Sequence, residues 1–377
     1  MIVYADHAAT TPMRACAKEA VLEGMEITGN PSSIHQAGRI ASMKLEGARK
    51  EVAELLNCRP SEIYFTSGGT EADNWALNNA RHGGGCVVTS AFEHHAVLHT
   101  LDALLERSEI RHVQKVAPTI DGIMDPDAVA LQVGAHTSLV TIMAANNEIG
   151  TIQPVAEIAK EAHKKKGSVI IHTDAVQAVG HIPVDLQKLG VDMLSLSAHK
   201  FGGPRGVGLL YCRSGITLDP LMFGGGQERG RRPSTENVPA IMGMAAAMRE
   251  ACENMDAAAA RTRVLRDKLG ETIMAIPGAH IHGTLASRLP GNINCSFDGV
   301  EGEAVVLMLD LAGVCVSAGS ACTSGTGEPS HVLTALGLQR RDAYGAVRIS
   351  LAETNTETEV EFIGSKLAEI VASLRGR

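Results

Sequence analysis

The sequence predicts an α/β protein with a mostly parallel sheet covered on both faces, followed by a second, smaller α+β unit. Two observations carry this. Short, nearly continuous aliphatic runs alternate with helical patterns over roughly the first 210 residues, and new strand signals return only after a long helical stretch near 236–270. Strands that are apolar at every position are buried on both faces, as in parallel sheets flanked by helices. At 377 residues and 45% hydrophobic content, the chain is longer than one ordinary domain and has ample aliphatic material for a core.

The elements follow in order. From about 37 to 56, Ala41, Leu45, Ala48, Val52 and Leu55 recur at steps of four and three, one face of an amphipathic helix. Strand signals come at Glu62–Thr66, Cys86–Thr89, Ser138–Met143, Ser168–His172, Met193–Leu196 and Gly206–Leu210. The Ala/Arg/Glu-rich stretch that contains Ala257–Ala260 reads as a helix joining two units. Beyond it, Gly291–Phe297 and Ala346–Leu351 read as strands of the smaller unit.

Composition excludes several classes. With 34 Lys+Arg against 42 Asp+Glu, a formal charge of -8 and 3% aromatic residues, the chain lacks the basic, ring-rich surface of a nucleic-acid binder. No stretch approaches the ~20 apolar residues of a membrane span, and Met1–His7 has no signal-peptide pattern, so a soluble, cytoplasmic protein without membrane partners is expected. The eight cysteines, at 16, 58, 86, 212, 252, 295, 315 and 322, contain no Cys-x-x-Cys pair. Disulfides and metal sites are therefore not expected, and Cys86 and Cys315, in apolar runs, read as buried small hydrophobes.

Chemistry concentrates at strand ends. Ser67-Gly68-Gly69-Thr70-Glu71 follows a strand and opens a helix, a place where free amides suit an anion, although such turns are also common loop chemistry. Asn146-Asn147-Glu148, Asp174-Ala175-Val176-Gln177 and Ser197-Ala198-His199-Lys200 each follow an apolar strand. In a parallel sheet all three fall at the carboxyl edge, where open α/β sheets bind ligands. Lys200 there suits Schiff-base chemistry and Asp174 a pyridinium partner, while singly they read as a surface lysine and a helix cap. His94 follows the Cys86 strand and could stack on a planar ring. Cys322 sits in a run of small polar residues, 317–327, expected to form a mobile, exposed loop whose thiol can attack in one place and deliver elsewhere.

Together these segments resemble the cysteine desulfurases of the NifS/IscS type, within the fold-type I pyridoxal phosphate enzymes. The resemblance runs nearly end to end, through Tyr4–Thr11, Gly29–His35, Thr66–Glu71, Asn146–Gly150, His172–Gln177, Ser197–Lys200 and Gly319–Gly325. It implies a large cofactor-binding domain over 14–256 with a mostly parallel seven-stranded sheet, and a small domain formed by 1–13 and 257–377. It implies pyridoxal 5'-phosphate as cofactor, bonded to Lys200, with Asp174 on the ring nitrogen, Gln177 on the ring hydroxyl and His94 stacked on the ring. Gly69, Thr70, Ser197 and His199 would hold the phosphate, joined by Thr235 from the partner of a homodimer. Asn147, Arg348 and Asn30 would bind L-cysteine, and Cys322 would carry the sulfur as a persulfide to an iron–sulfur scaffold or another acceptor. Selenocysteine lyase or aminotransferase activity on the same scaffold is the nearest rival, and the Cys322 loop argues against both. The chain departs from the family pattern at Pro233-Ser234, where Ala-Gly is usual, and at Ala352-Glu353-Thr354, where the pattern is more basic or aromatic.

Overall fold

The computed structural model describes residues 2–319 and 329–376. Its strands in chain order are β1 Val3–Tyr4, β2 Ile63–Thr66, β3 Cys86–Ser90, β4 His112–Val116, β5 Thr137–Thr141, β6 Ile170–Asp174, β7 Met193–Ser197, β8 Gly208–Cys212, β9 Ala279–Ile281, β10 Asn292–Phe297, β11 Val314–Cys315, β12 Ser317–Ala318 and β13 Val347–Ser350.

The central seven-stranded sheet has the order β2-β8-β7-β6-β5-β3-β4. From β4 to β7 all pairings are parallel, and β8 alone runs against its neighbours β7 and β2. Every residue of β5, β7 and β8 is buried, as the continuous apolar runs require. Each fully buried Leu or Val here contributes about 1.5–3 kcal/mol of transfer free energy. The edge strand β4 gave no aliphatic signal, because its sequence, His-Val-Gln-Lys-Val, leaves His112 and Lys115 exposed. The helix Gln36–Leu56 buries Ala41, Leu45, Ala48 and Val52, with Leu55 half-buried against the same core. The long helical stretch is two helices, Val238–Glu253 and Met255–Met274, broken at Asn254.

A second core surrounds the antiparallel sheet β12-β13-β10-β9 and the parallel pair β1-β11. Val3 and Ala5 pack there with Leu269, Ile293, Val305, Ile349 and Leu367, so the first residues of the chain fold with its last hundred. Cys86 and Cys315 are half-buried rather than buried, since each lies at the end of a strand, where cover is incomplete.

Arg14 ties the two cores together. Its Nη1 lies 3.0 Å from Glu250 Oε1 and 2.9 Å from Glu353 Oε1, and its Nε donates to the Phe201 carbonyl at 3.0 Å. The acidic departure at Glu353 thus has a basic partner within the chain. Gly202 makes room for this contact, because a Cβ on it would sit 2.7 Å from Arg14 Cγ, and its φ of +85° suits glycine.

A buried ion pair fixes the segment that leads toward Thr235. Arg49 donates from both terminal nitrogens to Glu228, at 2.7 and 2.9 Å, and Glu228 also accepts the Phe65 amide at 3.1 Å. Both side chains are almost wholly buried. Removing one partner strands the other charge, so Glu228→Ala is expected to cost about 3–5 kcal/mol. Replacing both residues by apolar side chains of similar volume should cost clearly less. Denaturant unfolding of the single and double variants checks this, and equal losses in both would refute it.

Candidate active site

The carboxyl ends of β5, β6 and β7 open into a cavity of about 520 Å³. The parallel registers set this up: Thr141 lies beside His172 and Asp174 beside Ser195, so the turns that follow these strands leave the sheet at one edge. Gly69, Thr70, His94, Asn147, Asp174, Gln177, Ser197, His199, Lys200 and Arg348 all line the cavity. Thr235 and Asn30 do not. Both are exposed, and Asn30 Oδ1 is engaged locally by the Ser32 amide at 2.9 Å. Cys322 lies outside the described residues.

One wall begins at the helix Gly69–Leu77, directly after β2. Gly69 meets the turn after β6 so closely that a Cβ on it would lie 2.6 Å from Val176 Cγ2. This brings the amide end of the helix beside Ser197, a natural seat for an anion. Burial alone would raise the Glu71 carboxyl, but the Arg232 fork, at 2.8 and 3.0 Å, and the Ser67 amide hold it below its ordinary range. Arg232 thereby anchors the stretch before Thr235. In that stretch Ser234 takes φ +91°, left-handed backbone that the usual glycine adopts freely and serine does not.

Asp174 ends β6 with Oδ1 accepting the Val176 amide at 2.9 Å. Burial raises its carboxyl to about 6, against the pull of that amide and of Lys200. Lys200 follows β7 through one tight turn, and its Nζ donates to the carbonyls of Ala8 and Ala9 at 2.7 and 2.9 Å. Gln177 Nε2 donates to Ala8 as well, at 2.9 Å. His94 caps the helix His95–Glu106, its Nδ1 accepting the Ala96 amide at 3.1 Å, which places the ring proton on Nε2. Burial, followed by nearby Lys200, pushes both His94 and His199 down to about 4, so both rings are neutral at pH 7.

Arg348, on β13, reaches in from the second core. Its Nη2 pairs with Asp6 Oδ1 at 2.8 Å and its Nη1 donates to the Asn147 carbonyl at 3.1 Å, while buried Nε has no partner among the described residues. A guanidinium held from two sides is an aimed fork for a carboxylate. Glu148, wholly buried, accepts Ser330 Oγ at 2.5 Å, and burial raises its carboxyl to about 7.

The structure adds residues that sequence reasoning missed. Asp6, Ala8 and Ala9 belonged to a recognised motif but carried no assigned role. Asp73, Glu148, Arg205 and His331 also line the cavity. Glu148 had a usable signal, its place in a polar cluster after a strand. His331 had none, because only the return of the chain to the cavity rim brings it there.

The class-V aminotransferase profile matches residues 3–363. A cysteine desulfurase IscS of Methanosarcina thermophila is 45% identical, covering 99% of this chain and 93% of that protein. The chain belongs to the class-V aminotransferase family, on its cysteine desulfurase branch. An IscS-like cysteine desulfurase of Mycobacterium tuberculosis is 42% identical over 99% of this chain and 97% of its own length. Among solved structures, a NifS-like protein superposes with a TM-score of 0.93 at 41% identity, covering 99% of this chain and all of that one. The protein described as SspA in complex with cysteine superposes at 0.81, with 31% identity, over 94% of this chain and all of that one. Class-V aminotransferases depend on pyridoxal phosphate. The residues here suit such a group: an amide-rich helix start for a phosphate, a buried carboxyl for a ring nitrogen, a neutral imidazole at the wall and an amine on a short tether. Among the described residues no helix is long and apolar enough to cross a membrane.

Glu148 gives a test of this electrostatic description. Its folded-state pKa is raised, so the stability it contributes is present below the unfolded value near 4.5 and is lost as pH rises toward about 7. Glu148→Gln keeps an acceptor for Ser330 and has nothing to ionise. The melting temperature of this variant relative to the parent should therefore climb as pH rises through that window. A difference that stays constant with pH would contradict the assignment.

Proposed function

We propose that the chain is a pyridoxal 5'-phosphate-dependent cysteine desulfurase, which converts L-cysteine to L-alanine and leaves the sulfur on Cys322 as a persulfide. What carries this reading is the convergence of Lys200, Asp174, His94, Ser197, His199 and Arg348 on one cavity. Ser197, His199, Gly69 and Thr70 would hold the phosphate and Gln177 the ring hydroxyl. The bound cofactor supplies an electron sink for the bonds at the substrate α-carbon.

The remaining work belongs to the chain. Arg348, braced by Asp6, grips the substrate carboxylate, with Asn147 beside it and Asn30 contributing to the substrate site. Lys200 moves the α-proton, its amine held by the carbonyls of Ala8 and Ala9. His94, neutral and capped on Nδ1, would lie against the cofactor ring from the cavity wall. Cys322 thiolate attacks the substrate sulfur, an S–S bond forms as the C–S bond breaks, and the freed carbon takes up a proton to give alanine. The sulfur then passes to an iron–sulfur scaffold or another thiol acceptor. Residues 14–256 form the cofactor-binding unit, and 1–13 with 257–377 the second unit, a division supported by the separate core around β10 and β13, while Val332, Leu333 and Leu336 pack into the core of the first unit. The protein works as a cytoplasmic homodimer in which Thr235 reaches the partner's phosphate, consistent with its exposed position in this chain.

Lys200→Ala should abolish turnover while the protein still folds, because packing and phosphate contacts lie elsewhere. Retained desulfuration in that variant would remove Lys200 from its role. Cys322→Ser should still bind cofactor and L-cysteine, with spectral changes on substrate addition, yet release alanine only at background rate, since a hydroxyl cannot hold a persulfide. Mass spectrometry should find added sulfur on Cys322 in the parent. Extra sulfur on Cys295 or Cys315 instead, or parental alanine release from the serine variant, would overturn the mechanism.

A further inference from the structure

Two buried carboxyl groups, Asp73 and Asp174, line the cavity, and a third, Glu93, lies behind Met143 of its wall. Asp174 ends β6, Asp73 lies in the helix Gly69–Leu77, and Glu93 follows β3; they are 5%, 1% and 0% exposed. Each of the outer two has one oxygen with no hydrogen-bond partner among the described residues, Asp73 Oδ1 and Glu93 Oε2. Glu93 Oε1 accepts Ser90 Oγ at 2.5 Å and the Met143 amide at 3.0 Å, both neutral donors. The base facing Asp73 is His172, whose Nε2 lies 3.7 Å from Oδ1. That ring is committed elsewhere: Nδ1 lies 2.8 Å from Thr141 Oγ1 and Nε2 lies 3.0 Å from Ser195 Oγ.

We propose that Asp73 and Glu93 are held as neutral carboxylic acids beside Asp174, so that the base of the cavity carries a single negative charge and Asp174 alone bears it. Two carboxylates buried together repel, and each also forfeits its hydration, so a cluster of three with one cation opposite it can ionise only once. The alternative, an Asp73 carboxylate beside a protonated His172, fails on the same ground. His172 is wholly buried, and burial pushes its imidazole down to about 3. Burial also raises Glu93 to about 8 and Asp73 well above the carboxylate range, with Asp174 adding to both. Lys200 is the cation that faces Asp174 from the turn after β7, and it favours ionisation there. Neutral neighbours let Asp174 ionise near neutral pH, and a second anion at its side would drive a proton onto it. Asp73 and Glu93 are thus positioning residues that act through Asp174. Their protonation is independent of the proposed function, while its consequence for cofactor binding rests on the reading of Asp174 as the partner of a cationic ring nitrogen.

Infrared difference spectra of the full-length, cofactor-free protein at neutral pH test the first part. Parent minus Asp73→Asn and parent minus Glu93→Gln should each contain a carboxylic-acid C=O band, and carboxylate bands alone would overturn the proposal. If an amide variant fails to fold, carboxyl-carbon NMR of Glu148→Gln protein labelled at Asp and Glu gives the readout without the contribution of Glu148, with neutral carboxyl signals supporting the proposal and their absence refuting it. Titration with pyridoxal 5'-phosphate tests the second part. Both amide variants should bind within about threefold of the parent, whereas Asp174→Asn should lose about a hundredfold or more, as when one partner of a buried charge pair is removed. A loss in Asp73→Asn or Glu93→Gln as large as that in Asp174→Asn overturns the single-charge assignment. Parental binding by Asp174→Asn overturns the reading of Asp174 instead, and leaves the infrared result standing.

Discussion

The parallel run of β5, β6 and β7 is the constraint on which the rest of the molecule depends. Parallel strands in register end together, so the polar residues after each of them are delivered to one line at the sheet edge. Asn147 and Glu148 come from the first strand, Asp174 and Gln177 from the second, Ser197 to Lys200 from the third. The strands are buried almost throughout because helices cover both faces, and that same cover makes the edge a cleft with buried walls. Had β6 run the other way, Asp174 would lie at the opposite end of the sheet from Lys200.

Burial at that edge decides the charge states. His94, His172, His199 and His331 are all pushed well below the usual histidine range, first by burial. Carboxyl groups are pushed the other way, except where a guanidinium or several amides meet them, as at Glu71. The cavity therefore combines neutral polar groups with placed charges: Lys200, Asp174, Glu71, Arg205 and Arg348, the last braced by Asp6. The first eleven residues matter more than their distance in sequence implies. Their carbonyls receive Lys200 and Gln177, Thr10 Oγ1 lies 3.1 Å from His199 Nδ1, and Asp6 braces Arg348.

Much of this was legible from residue patterns. Six of the seven strands of the central sheet, the helix from Gln36 and the strands β10 and β13 follow from periodicity and aliphatic runs. Asp174, Lys200, His94 and the Ser67–Glu71 turn follow from their places after strands. The edge strand β4 was not legible, since an edge carries polar residues that blur the pattern. Nor was the reversal of β8, because an apolar run has no direction until its neighbours pair with it. The charge at Glu353 departs from the family pattern, and its partner Arg14 lies hundreds of residues away in sequence.

The sequence by itself determined which segments must be buried, which turns present polar side chains and, through its ordered motifs, the family. Those are properties of a residue and its near neighbours: side-chain period, glycine at a close approach, a polar cluster after an apolar run. Only the tertiary structure decided that Asp6 meets Arg348, that Ser330 meets Glu148, and that Asp73 and Glu93 are buried close to Asp174. Such contacts join distant elements, and their energies depend on the distance between charges and on the loss of water around them. Neither quantity exists until the chain has folded.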